Sequence, residues 1–511
     1  MTPAALAFPA DTTPGGYLLV LSILLPVIGI VLIWSLGPRQ TERIGLTIMA
    51  AGLAIAAAIV VELAETRETI IYLVGGWRPP LGLALRADGL SGGMLLLTAV
   101  IIGATGIFAK GQFGFQDDGI ERRGPMMFWT LLLGVWGALN LIFLGDDLFN
   151  LFVAIELVTF TAVPLVCLDG KAETMRAALR YLLFALLGSA LYLLGTALIY
   201  SSAGTLDILL LKDMAEAKPL LFVAVALMTV GLLAKTALFP LHIWLPAAHA
   251  GAPAAASAVL SALVVKGSFF IILRLWFDVL PIDVTQIGTQ MLAGLGALAI
   301  LFGSVIALRQ ARLKLLIAYS TIAQIGYLFL MFPLATGTSA FAPWASLAWT
   351  GGFLQLASHA FAKAAMFLAA GLVYDAFGHD RIRGLAGAGR VIPLTILAFG
   401  LGGMSLMGLP PSGGFSAKWL MLSAAIGEGQ WWWAVVILTG GLLAAGYVFR
   451  VIVPATARPA RPILLKGPVS LRRQWLAVSL AVIALAIGFI PLEPLGFLQI
   501  GRDLAAGGIA P

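Results

Sequence analysis

Apolar residues in this chain fall in long, nearly unbroken blocks. They do not alternate as in half-buried strands, nor do they recur every third or fourth residue as in surface helices. About 20 apolar residues in a helix cross a bilayer. On that rule fourteen spans are predicted, over residues 17–37, 44–63, 90–110, 126–145, 147–168, 176–201, 219–250, 253–278, 287–309, 314–334, 346–375, 391–425, 431–453 and 474–495. Two are too long and contain proline: the seventh (Pro240, Pro246) and the twelfth (Pro410, Pro411). Proline removes a backbone donor and clashes with the preceding turn, so both are predicted to be broken helices. The polar connections, the longest being 64–89, 111–125, 202–218 and 454–473, are too short for a second domain. The fold class is an all-α polytopic membrane protein.

The two breaks lie five spans apart. An odd offset reverses orientation across the membrane, the pattern of inverted-topology repeats with an ion path at their interface. This places one five-helix repeat in helices 4–8 and its inverted partner in helices 9–13. The chain then divides into residues 1–125, 126–278, 287–453 and 454–511.

Composition agrees. Hydrophobic residues make up 60% and charged residues 11%, against about 25% charged in a soluble domain; mean hydropathy is +1.01. A soluble enzyme, a disordered chain and a nucleic-acid binder are excluded. The excess of 31 Lys and Arg over 24 Asp and Glu is unevenly placed. Odd-numbered loops carry 18 of the basic residues: Arg39, Arg43, Lys110, Arg122, Arg123, Lys171, Arg176, Arg309, Arg312, Lys314, Arg381, Arg383, Arg390, Arg458, Arg461, Lys466, Arg472 and Arg473. Even-numbered loops carry 5: Arg67, Arg78, Arg86, Lys212 and Lys218. Basic loops stay in the cytoplasm, so both termini are expected on the outer side of a plasma (inner) membrane. Residues 1–16 contain no Lys or Arg, unlike a cleaved signal. A single cysteine, Cys167, and four histidines without CxxC or HExxH spacing give no expectation of a cofactor or metal. Cys167 is expected to be a small buried hydrophobe.

Charges inside the spans carry the functional information. Each costs ~2.5–3.5 kcal/mol at a helix centre. Five stand out: Glu156, Lys235, Lys266, Lys363 and Lys418. Together they would cost ~12–18 kcal/mol unpaired, more than the ~5–15 kcal/mol net stability of a typical domain. They must be paired, wetted or neutralised. Glu156 is about 14 Å into its span at 1.5 Å per residue, either a proton-binding carboxylate or a structural partner of a lysine. Lys235 precedes Pro240 by five residues; a broken helix at membrane depth is tolerated only in protein or beside a wet cavity. Lys266 sits mid-span among small residues that allow close helix approach. His359 and Lys363 are four apart and share one helix face; histidine titrates near physiological pH and suits a relay. Lys418 follows the second break, where Pro410, Pro411, Gly413 and Gly414 interrupt the helix. His242 and His249 flank the first break, as relay members or as simple hydrogen-bond partners. Arg180, Arg274 and Arg450 lie nearer span ends and are expected to snorkel; Trp431, Trp432 and Trp433 read as interface anchors.

Five stretches carry a resemblance. They are Gly145–Glu156 (GDDLFNLFVAIE), Lys235–His249 (KTALFPLHIWLPAAH), Leu316–Tyr327 (LIAYSTIAQIGY), His359–Lys363 (HAFAK) and Gly408–Lys418 (GLPPSGGFSAK). They resemble the antiporter-like family shared by respiratory complex I, membrane-bound hydrogenases and multi-subunit (Mrp-type) cation/proton antiporters, and cover most of helices 4–13. The early stretches Gly75–Gly82 (GGWRPPLG) and Ala87–Ser91 (ADGLS) resemble the D subunit of the Mrp type in particular. The resemblance implies that Glu156 and Lys235 form the gating ion pair of a first half-channel. It implies that Lys266, His359 and Lys363 form a central relay, and that Lys418 is the terminal lysine of a second half-channel. It also implies partner membrane subunits and transport of protons, with exchange for Na+ or K+. The alternative is the proton-pumping subunit of a complex I-like or hydrogenase redox complex, in which redox cofactors would lie in other chains.

Overall fold

The computed structural model describes residues 11–502 apart from 111, 114–122, 215–218, 281–285, 337–342, 459–462 and 464. Arg122, Lys218 and Arg461 of the loop count, and both chain ends, therefore lie outside the described residues. In chain order the helices are α1 (Gly16–Leu36), α2 (Thr41–Thr66), α3 (Gly89–Ala109), α4 (Arg123–Leu144), α5 (Leu148–Val166), α6 (Ala172–Ala203), α7 (Ile208–Met214) and α8 (Pro219–Thr236). There follow α9 (Trp244–Gly251), α10 (Ala254–Val259), α11 (Val265–Arg274), α12 (Gln286–Arg309), α13 (Leu313–Ala335) and α14 (Pro343–Phe377). The last are α15 (Ala388–Val391), α16 (Pro393–Met407), α17 (Gly413–Gly427), α18 (Trp431–Thr456) and α19 (Leu471–Ala486).

Thirteen helical stretches among the described residues are long and apolar enough to cross a membrane. The fourteenth predicted span is the twelfth, which is divided into α16 and α17, 15 residues each. The seventh is likewise divided, α8 ending at Thr236 and α9 starting at Trp244. Local chemistry explains both breaks. At the first, Ala237 takes a left-handed backbone (φ 58°) ahead of Pro240, and the Ala234 carbonyl at the helix end accepts from the Ala237 amide at 3.3 Å and from the Trp244 indole at 2.8 Å. At the second, Gly408 (φ 81°) terminates α16, and Ser412 accepts from the Phe415 amide to cap α17.

The eighth span holds a feature that no proline announces. α10 and α11 are joined by a π-helical turn, Leu260–Val264, and a second, Leu275–Val279, follows Arg274. Such turns have wider rings and often mark functional positions.

This span and α14 are buried along their whole apolar length, whereas α1, α2 and α18 bury one third of theirs. The bundle therefore has two protein-enclosed central helices, and these carry Lys266, His359 and Lys363. α6 lies along α8 and α12 along α13. Where α6 meets α8, a Cβ on Gly188 or on Gly231 would run into the other's carbonyl. These glycines bring together the helices that hold Ser189 and Lys235.

The connection 64–89 is more ordered than its polarity suggests. Ile70–Leu73 (β1) pairs antiparallel with Ala84–Ala87 (β2), Ile70 opposite Ala87 and Leu73 opposite Ala84.

Candidate functional site

At the first break Lys235, on the last turn of α8, meets Glu156 of α5. Lys235 Nζ lies 3.0 Å from Glu156 Oε1 and donates to Thr159 Oγ1 at 2.9 Å. The Ser189 hydroxyl of α6 also donates to Glu156 Oε1. The ammonium is 7% and the carboxylate 15% exposed. A pair this deep is held by charge-assisted hydrogen bonds from three helices. Removing either partner would leave an uncompensated buried charge. Lys235, Thr159, Tyr181 and Ser268 line a cavity of about 20 Å³, room for about one water. On its far side Ser268 accepts from the Thr236 hydroxyl at 2.9 Å, so the first break touches α11 directly.

Lys266 is fully buried and makes no ion pair with a carboxylate among the described residues. Its Nζ donates to the Ser261 carbonyl at 2.6 Å, an acceptor within the first π-helical turn. The Ser261 hydroxyl bonds to Thr321 Oγ1 of α13 at 2.8 Å. Thr321 Oγ1 in turn donates to Ile317 O at 3.0 Å. Lys363 Nζ donates to the same Ile317 carbonyl at 2.9 Å and to the Ser320 hydroxyl. One short polar stretch of α13 thus joins the lysines of α11 and α14. His359 is buried one turn from Lys363, and neither of its ring nitrogens has a hydrogen-bond partner among the described residues.

Lys418, on α17, lies beyond the second break. Its Nζ donates to Leu406 O at 2.5 Å and sits 4.6 Å from the centre of the Tyr327 ring. This is a carbonyl and a π-face, with no carboxylate among the described residues.

The structure thus brings Glu156 to Lys235, links Lys266 to Lys363, and seats Lys418 against α13. It does not join His242 or His249 to this row by hydrogen bonds. His242 stacks on Phe239 and meets Phe302 edge-on, its Nδ1 without a partner among the described residues. His249 is fully buried against Phe367, ring centres 4.6 Å apart, with both nitrogens unpartnered among the described residues. An unmade hydrogen bond on a buried group costs about 1–3 kcal/mol, a cost that internal water would remove.

Sequence reading missed Thr159, Ser189, Ser261, Ser320, Thr321, Gln324, Gln355 and Tyr327. The signal was present for some: Ser320, Thr321 and Gln324 interrupt an otherwise apolar stretch and share one region of α13.

A second set of charges corrects the expectation for Arg274. It does not snorkel; it is buried, donating to Asp88 Oδ2 at 2.6 Å, Asp278 Oδ2 at 3.0 Å and Ser91 Oγ at 2.9 Å. Arg86 of β2 reaches Asp146 at 2.9 Å and Asp278 at 3.4 Å. All these groups sit at the even-loop ends of the helices. Burial works against charge on Asp88, but the Arg274 and Arg86 guanidiniums outweigh it and hold the carboxyl well below its usual range. Asp207, in the loop before α7, goes the other way: burial, with Asp146 adding, pushes it up to about 8. Cys167 is half-buried at the end of α5 rather than buried.

A row of buried lysines thus lies beside two broken helices of a membrane-spanning bundle, with Glu156 paired to the first of them. Residues 145–444 match the family described as NADH:quinone oxidoreductase/Mrp antiporter, TM, and the chain belongs to that family. It is 36% identical over 416 residues to the N subunit of the NADH-quinone oxidoreductase of Desulforudis audaxviator, covering 79% of each chain. It is 31% identical over 450 residues to the D subunit of the Na(+)/H(+) antiporter of Alkalihalophilus pseudofirmus, covering 86% of each. Among solved structures, the Mrp complex of a Dietzia species matches with a TM-score of 0.84 at 24% identity, over 95% of this chain and 97% of that one. An archaeal membrane-bound sulfane sulfur reductase matches with 0.82 at 28% identity, over 92% and 94%.

Proposed function

We propose that the chain is the proton-translocating subunit of a multi-subunit monovalent cation/proton antiporter, and that Na+ or K+ is exchanged through the assembled complex. The observation that carries this reading is the Glu156–Lys235 pair at the first break, followed by further buried lysines, Lys266, Lys363 and Lys418, each held by its own hydrogen bonds. While Glu156 sits beside it, Lys235 holds its proton. Two unit charges 4 Å apart attract by about 4 kcal/mol at an effective dielectric of 20. When the pair opens, that stabilisation is lost, and the proton can pass through the small cavity beside Ser268 towards Lys266. It then crosses through internal water beside Ser261 and Thr321 to Lys363, with His359 one turn away, and leaves by Lys418. His242 and His249 are placed as accessory relay members that act through water.

The inverted repeats are placed at predicted spans 4–8 and 9–13, supported by the recurrence of a break and a buried lysine in each. The corresponding division of the chain is 1–125, 126–278, 287–453 and 454–511. Both termini are placed outside, supported by the loop bias of basic residues. A second reading, a proton-pumping subunit of a redox complex, is favoured by the 36% identity to an NADH-quinone oxidoreductase N subunit.

Purification of the intact complex through a tag on this chain tests the choice. Small multi-span subunits without redox proteins are expected. Co-purifying iron–sulfur subunits would overturn the antiporter assignment and leave the proton path to be tested in a redox pump.

A further inference from the structure

Between Lys363 and Lys418 the polar chain changes chemical character. On the Lys363 side the polar side chains are hydroxyls, Ser261, Thr321 and Ser320, set beside the Ser261 and Ile317 carbonyls that take the two lysines; a hydroxyl oxygen both accepts and donates a proton. Beyond it stand two amides. Gln355 lies on α14 one turn before His359. Its Nε2 donates to Gln324 Oε1 of α13 at 2.9 Å. Gln324 Nε2 donates to Leu406 O at 3.1 Å and lies 3.4 Å from Tyr447 Oη. Lys418 Nζ donates to the same Leu406 carbonyl. Gln324 is 1% and Gln355 2% exposed. An amide donates only from nitrogen and accepts only at oxygen. A proton could cross the pair only through the imidic acid form of each amide. While the Gln355–Gln324 bond stands, this joint does not conduct.

We propose that Gln324 and Gln355 form a proton-blocking joint between Lys363 and Lys418, and that Gln324 positions Lys418 through the shared Leu406 carbonyl. When the hydrogen bond between the two amides opens, water enters. An N–H bond then breaks on the Lys363 ammonium, a proton moves through water, and an N–H bond forms on the Lys418 amine. No bond of either amide is broken. The proposal rests on the proton-transfer reading above.

The test uses everted membrane vesicles containing the whole complex, with a pH-sensitive dye. One readout is decay of an imposed pH gradient without exchangeable cation; the other is cation-driven exchange. Gln324→Ala and Gln355→Ala, on separate helices, are each expected to raise passive leak about fivefold, the scale of one lost buried hydrogen bond. Adding Lys418→Ala to Gln324→Ala should return leak to the wild-type level. Gln324→Glu should abolish exchange by holding Lys418 charged. If an alanine variant does not assemble, Gln324→Asn keeps the amide, shortens its reach and should leak as well. Wild-type leak in these variants at equal complex abundance would overturn the joint. Lys418→Ala alone separates the two ideas: normal exchange there overturns the proton-transfer reading, whereas lost exchange with no leak in the glutamine variants overturns only the joint.

Discussion

The two broken helices hold their lysines in different ways. At the first break Lys235 faces a carboxylate, a threonine and, through Glu156, a serine. At the second Lys418 has a backbone carbonyl and the face of Tyr327. A carboxylate offers an attraction that can be switched by moving a few ångströms; a carbonyl and a ring offer a fixed and weaker hold. The first break is therefore suited to gating and the second to release. The backbone device is repeated at the second break and the counter-ion is not.

The largest effect that would break this comparison is expected at the first site. Glu156→Gln or Lys235→Ala should abolish pH-gradient-driven exchange while the complex still assembles; normal exchange in either would sink the gating role. At the second site, Tyr327→Ala should slow exchange about fivefold, since a buried cation–π contact is worth about 1–2 kcal/mol. Tyr327→Phe keeps the ring face and should slow it less than about twofold; equal loss in both would show that the hydroxyl, which donates to Ile437 O, matters instead. Ser189→Ala removes one donor to Glu156 and leaves Lys235 in place, so a loss of about two- to threefold is expected, the scale of a single hydrogen bond of about 0.5 kcal/mol. If this variant equals Glu156→Gln in severity, the serine and not the lysine sets the state of the carboxylate.

The smallest effect concerns the even-loop end. In the folded protein Asp207 is raised to about 8; in an unfolded chain it would titrate near about 3.9. The folded state therefore binds its proton more tightly, and stability falls as pH rises from about 4 through about 8. Asp207→Asn should flatten the thermal stability of the purified complex between about pH 6 and 8, by about 1–2 °C. An unchanged slope would exclude Asp207 as the titrating group.

The spans and both breaks were legible because twenty apolar residues and an internal proline are local signals. Glu156, Lys235, Lys266, Lys363 and Lys418 stood out because charge in a bilayer is costly and therefore rare. Gln324 and Gln355 are neutral, cost less to insert, and looked like any other polar residue in a helix. The Ser261–Thr321 bond joins residues 60 positions apart, and nothing in either neighbourhood announces the other. Arg274 was misread because nearness to a span end suggests water, while Asp88 and Asp278 provide a buried pairing there. The hairpin over Ile70–Leu73 and Ala84–Ala87 is four residues per strand, too short for alternation to declare itself.

The π-helical turn at Leu260–Val264 has a consequence for how this span tolerates change. A wide turn is one residue more than the ordinary helix needs. Deleting a single residue there would turn it into an ordinary helical turn and leave Lys266 facing as it does now, whereas the same deletion in the regular helix before the turn would rotate the lysine by about 100° relative to what precedes it. The wide turn therefore lets this span carry one surplus residue without changing the direction in which its lysine points.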